Sequence, residues 1–100
     1  MFEKFKKRVF GLDGNIKEEV KKLYIAFKYD TNFVDVVVQK SSIRLTLNMD
    51  FEEVIDPKWI CTNITWLGRR WNGNISVHFE NENDLDYIMS LVRQSFEKQL

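Results

Sequence analysis

One hundred residues suffice for a single domain around one core and are too few for a second lobe. Apolar side chains make up 44% of the chain and charged ones 30%, which is a folded composition without disordered bias. Fifteen basic and fifteen acidic side chains cancel, so no global field draws the chain to nucleic acid or to an anionic membrane, and any anion-binding surface must be local.

Phe2, Phe5 and Val9 recur at helical spacing among Lys4, Lys6, Lys7 and Arg8, which predicts an amphipathic helix over 2–11 closed by Gly11 or Gly14. Asn15, with Glu18 three positions on, reads as a capping box for a second short helix whose buried stripe is Ile16, Val20 and Leu23. Tyr24, Ile25, Phe27 and Tyr29 predict a strand over 24–29, ended by the turn-forming Asp30-Thr31-Asn32. A second strand covers 33–39, where Phe33, Val36, Val37 and Val38 are too dense for strict alternation. That density implies a central strand covered on both sides or a bulge near Asp35.

Ile43, Leu45, Leu47 and Met49 alternate with Arg44, Thr46 and Asn48, the mark of a half-buried third strand. Residues 50–73 hold the only proline, Pro57, and the weakest periodicity. They read as a long irregular connection with a short edge strand over 62–67. Ile75, Val77 and Phe79 give a last strand, and Leu85, Ile88, Met89, Val92 and Phe96 give a carboxy-terminal helix opened by Asn83 or Asp84. The expected fold over 1–100 is one α+β domain, a two-layer sandwich. Its antiparallel sheet has about four to five strands, and the amino- and carboxy-terminal helices pack on one face.

No apolar run is long enough to cross a bilayer. The amino terminus lacks a signal-peptide core, and the single Cys61 fits a reducing compartment, so a cytoplasmic location is expected, with no membrane partner. Catalysis is disfavoured. The one histidine, His78, is expected on the outward face of a strand without a nucleophile, and Cys61 reads as a small buried hydrophobe. No cofactor or metal is implied: Glu80, Glu82, Asp84 and Asp86 lack the spacing of a calcium loop and read as helix-capping residues. The acceptor patterns at Asn63 and Asn74 matter only in an exported chain.

The segment Trp66-Leu67-Gly68-Arg69-Arg70-Trp71-Asn72-Gly73 puts two indoles beside two guanidinium groups. Arginine grips phosphate bidentately and indoles stack on bases, so Trp66, Arg69, Arg70 and Trp71 form the candidate contact for nucleic acid or a protein partner. Lys40, Arg44 and Lys58 would extend the patch. Against this stands a structural role for the two tryptophans as a lid on the sheet. Two other classes stay open: self-association through strand edges, giving a homodimer, and a small-molecule pocket lined by Phe51, Trp59 and Trp66.

The run Tyr24-Ile25-Ala26-Phe27-Lys28, then Asn32-Phe33-Val34-Asp35-Val36, Gln39-Lys40 and Ile43-Leu45-Leu47, resembles a family of uncharacterised bacterial and archaeal domains. Asp56-Pro57, the Gly68 to Trp71 turn, Asn72-Gly73-Asn74 and Asp84-Leu85-Asp86-Tyr87 agree with it. The resemblance covers nearly the whole chain. It implies a domain of unknown function, often at the carboxy-terminal end of larger proteins labelled "predicted transport protein", some with parts that look like restriction-type nucleases. The role so implied is accessory, with a nuclease-like domain or another chain as partner.

Overall fold

The computed structural model describes residues 1–65 and 73–100. Helix α1 runs Phe2–Phe10, followed by strands β1 Lys17–Val20, β2 Ile25–Lys28, β3 Asn32–Val38 and β4 Ile43–Leu47. A single 3-10 turn at Phe51–Glu53 precedes β5 Thr62–Asn63 and β6 Ile75–Phe79. A second such turn at Glu82–Asp84 leads into helix α2, Leu85–Glu97. The described strands form one antiparallel sheet of six, ordered β1-β2-β3-β4-β6-β5. The sheet is thus larger than the four to five strands expected.

The added strand is β1. Residues 16–23 do not form the expected second helix, although Ile16, Val20 and Leu23 have helical spacing. Only Ile16 is buried, and Val20 and Leu23 are both 75% exposed. Lys17 to Val20 instead pair with Lys28 to Ile25, and the hairpin is closed by Lys21 N–H donating to the Tyr24 carbonyl at 2.8 Å. Cross-strand charge favours this pairing, since Glu19 lies 2.9 Å from Lys28. Asn15 makes no capping box. Its N–H donates to Asp13 Oδ1 at 2.8 Å, and the Glu18 carboxylate reaches Lys6 of α1 at 3.0 Å.

Alternation along the strands places Val34, Val36, Leu45, Leu47, Ile75 and Val77 on one face, all buried. The helices bury their apolar stripes here: Phe5 of α1 stands edge-on to Phe27, and Phe96 of α2 edge-on to Phe33. The irregularity foreseen near Asp35 falls two residues earlier. Register slips by one between Phe27 and Lys28, making Phe33 an extra residue, so Phe33 and Val34 are both buried. Ser95 of α2, fully buried, donates to the Phe33 carbonyl at 2.6 Å and fastens the helix to this bulge.

The opposite face carries the register row Ala26, Asp35, Thr46, Ser76 and Thr62, one residue from each of five strands. Asp35 is only 3% exposed there and accepts from Asn32 Nδ2 at 3.2 Å. At the far end of the chain, the Gln99 side chain closes the β2–β3 turn. It accepts from the Asp30 and Thr31 N–H groups at 2.8 and 3.1 Å and donates to the Thr31 carbonyl at 2.8 Å.

Asp84 stands at the N-cap of α2 and Asp86 in its first turn, as expected, although the Asp84 side chain makes no capping hydrogen bond. Asn81 caps the 3-10 turn by accepting from Asn83 N–H. Glu82 instead pairs with Lys4 at 3.0 Å and Asp86 with Arg8 at 2.9 Å, joining the two helices. No helix among the described residues is long and apolar enough to cross a membrane.

Candidate recognition surface

Trp66, Arg69, Arg70 and Trp71 lie outside the described residues, as do the last two positions of the edge strand expected over 62–67; of its four described residues Thr62 and Asn63 form β5, and Ile64 and Thr65 do not extend it. Their connection is entered and left at one point, where Ile64 N–H donates to the Asn74 carbonyl at 2.8 Å. The three supporting cations do not share a face. Arg44 projects on the helix-free side, opposite His78 of β6 and Val37 of β3. Lys40 sits in the β3–β4 turn, which is held by Gln39 N–H donating to the Ser42 carbonyl at 2.9 Å. Lys58 belongs to the helix layer, its Nζ 4.8 Å from the ring centre of Tyr87 on α2. A patch combining all three is not formed.

Many other cations are engaged with carboxylates. Lys4, Lys6, Arg8, Lys21, Lys28 and Lys98 each pair with an Asp or Glu. Such pairs add little stability, but they lower the positive potential that a phosphate backbone would meet.

What the fold does build is a projecting loop between β4 and β5. Gln94 of α2 accepts from Ile55 N–H at 2.8 Å and donates back to the Ile55 carbonyl at 2.9 Å. Seven positions earlier on α2, the Tyr87 hydroxyl donates to Asp56 Oδ1 and accepts from Lys58 N–H at 2.9 Å. The other Asp56 oxygen takes Cys61 N–H at 2.8 Å. Asp56 and Pro57 begin a tight turn, closed by Trp59 N–H donating to the Asp56 carbonyl at 3.0 Å. Trp59 then has φ of 58°, the left-handed region that a bulky side chain rarely occupies.

With the backbone held, the side chains point away. Trp59 is 89% exposed and Ile55 72%. Of the expected pocket lined by Phe51, Trp59 and Trp66, Trp66 lies outside the described residues, and both Phe51 and the Trp59 indole are exposed.

The electrostatics match this arrangement. Burial works against ionisation of Asp56, yet the Tyr87 hydroxyl and the Cys61 and Ile60 N–H groups outweigh it, holding the carboxyl below its ordinary range. Burial, followed by the hydrogen bond to Asp56, pushes the Cys61 thiol up to about 12, so at neutral pH it is no nucleophile. Tyr87 is raised by burial and by its bond to Asp56. His78 is exposed, as expected.

Sequence reasoning noticed Lys58 as an addition to the arginine segment and Trp59 as one wall of a small-molecule pocket, and missed the loop they belong to. The signal present was Asp56-Pro57, a turn opener. Its anchors, Tyr87 and Gln94, lie some thirty to forty positions away, and their spacing of seven along α2 carries meaning only once the loop is docked.

A curated protein of Haemophilus influenzae, named only as an uncharacterised protein, is 36% identical over 95 residues. The match takes in 95% of this chain and 32% of that protein, so the chain spans about a third of its relative's length. No solved structure matches the chain. A family model matches residues 1–99, and the chain belongs to that family, described as Domain of unknown function (DUF5655).

Proposed function

We propose that this domain is a non-catalytic recognition module that contacts a protein partner through the Ile55–Trp59 loop. The carrying observation is the Trp59 indole, 89% exposed on a backbone fixed in the left-handed region. Tryptophan dominates the energetics of protein interfaces, and a side chain already held in place loses little entropy on docking. Ile55, exposed in the same loop, contributes apolar area that phosphate cannot use. Lys58 rests on the Tyr87 ring and supplies one positive charge at the rim.

Two observations weigh against the alternatives. Self-association through strand edges has poor material, since β5 has two residues and β1 carries Lys17, Glu18 and Glu19 in its four. The pairing of so many cations with carboxylates disfavours broad contact with a nucleic-acid backbone. The partner is sought within or beside a larger protein, in keeping with a chain that spans 32% of its relative.

Placing a photo-crosslinking phenylalanine derivative at position 59 tests the reading, with one at exposed His78 on the opposite face as reference. A discrete protein adduct from position 59, absent from position 78 and lost with Ile55→Ser, is the expected outcome. Equal labelling at both positions, or an adduct removed by nuclease, refutes protein recognition by this loop. In the nuclease case the nucleic-acid reading of Trp66, Arg69, Arg70 and Trp71 is taken up instead. Neutralising Arg69 and Arg70 together would then weaken binding and flatten its salt dependence.

A further inference from the structure

We infer that Tyr87 and Gln94 of α2 are positioning residues for the contact loop, holding Ile55 and Trp59 in their projecting conformation before any partner arrives. This rests on the recognition reading of the same loop.

The loop is not self-supporting. Residues 54–61 contain neither strand nor helix, and none of them is fully buried. Within the loop the backbone holds itself by the one turn from Asp56 to Trp59. Val54, Ile60 and Cys61 at its two ends pack against the core, and the hydrogen-bonded restraint between them comes from two α2 side chains and one carboxylate. Gln94 grips the two peptide groups that flank the Ile55 Cα, accepting from its N–H and donating to its carbonyl. The Tyr87 hydroxyl is shared, donating to Asp56 and accepting from Lys58 N–H. The two anchors are seven residues apart, two helical turns, so they emerge from one side of α2 and grasp the loop at two points flanking Pro57.

An unfavourable φ at a tryptophan persists only where its surroundings over-determine it. Here the over-determination has a named source, and the buried side of α2, through Ser95, is itself bonded to the Phe33 bulge of β3. The chain of contacts therefore runs from the sheet through the helix to the indole. Neither anchor need touch a partner for its loss to weaken recognition, because a freed loop must be ordered again on binding.

The experiment is solvent exchange of backbone amides, with the Trp59 indole signal, by NMR on the intact protein. It compares Tyr87→Phe, Gln94→Ala and a partial rescue, Gln94→Glu, which restores an acceptor for Ile55 N–H but no donor. In Tyr87→Phe the Lys58 amide should exchange about fivefold faster, the effect of one lost hydrogen bond, and the Trp59 indole resonance should move. In Gln94→Ala the Ile55 amide should respond the same way, and Gln94→Glu should recover most of it. Amides of β4, such as Leu45, should be unchanged.

The inference is overturned if Lys58 and Ile55 exchange as in the unaltered protein. It is also overturned if they speed up only in step with Leu45, which would mark general loosening. Neither result needs a partner. If the latch is confirmed but crosslinking at position 59 finds no protein, the positioning stands and the recognition reading fails.

Discussion

Gly73 offers the sharpest test of how closely the chain is packed where it rejoins the sheet. A Cβ built on it would lie 2.3 Å from the Leu47 carbonyl oxygen, 2.7 Å from the Leu47 carbonyl carbon and 3.0 Å from the Thr46 methyl. Two of these neighbours are backbone atoms of β4, between β3 and β6, and they cannot yield. The chain at Gly73 would therefore retreat by about 1 Å to reach ordinary contact distance. The next residue donates from Asn74 N–H to that same Leu47 carbonyl at 3.1 Å, and such a retreat breaks the bond. Overpacking strain plus a lost hydrogen bond puts Gly73→Ala at about 2–3 kcal/mol of destabilisation. For a chain of this size that is a fall in Tm of roughly 10–20 °C, read by thermal unfolding followed by circular dichroism. Gly14→Ala is the control, because nothing lies within 4 Å of its added methyl group. A Gly73→Ala protein that melts with the unaltered one would refute the packing argument, and equal losses in both variants would refute its locality.

Ser95→Ala should cost about 1 kcal/mol in urea unfolding, since it removes one buried hydrogen bond to the Phe33 carbonyl, which keeps the Asn48 N–H at 3.2 Å. Cys61, with its thiol pushed up to about 12, should resist iodoacetamide at pH 8 in the folded protein and react promptly once unfolded, as mass spectrometry would show.

Much of the fold could be read from side-chain pattern, and the exceptions share a cause. Strands with a buried face show period two: Ile43-Leu45-Leu47 and Ile75-Val77-Phe79 are at their expected places, and α2 matches its stripe from Leu85 to Phe96. β1 is an edge strand, and its stability comes from pairing with β2 and from charges such as Glu19 with Lys28. It therefore carries no apolar alternation, and three incidental apolar residues imitated a helix. The Phe33 bulge was visible as excess apolar density, but its position depends on register with β2, which no local pattern encodes.

The candidate surface was less legible for the same reason. Tryptophan content drew attention to 66–71, where indoles are concentrated. The exposure of Trp59, however, is decided by Tyr87 and Gln94, whose contribution is invisible until α2 is packed. Arg44 and Lys58 looked like parts of one patch with Lys40, but strand alternation and the loop's docking send those two to different sides.

The Gln99 amide meets the β2–β3 turn across 68 and 69 positions of sequence. During synthesis, a turn made in the first third of the segment thus waits for nearly all of it to leave the ribosome before this side chain can replace water at its peptide groups. Until then the turn rests on the β2–β3 pairing and on Tyr29 N–H donating to the Thr31 carbonyl at 3.1 Å, with Gln99 added last as a clasp.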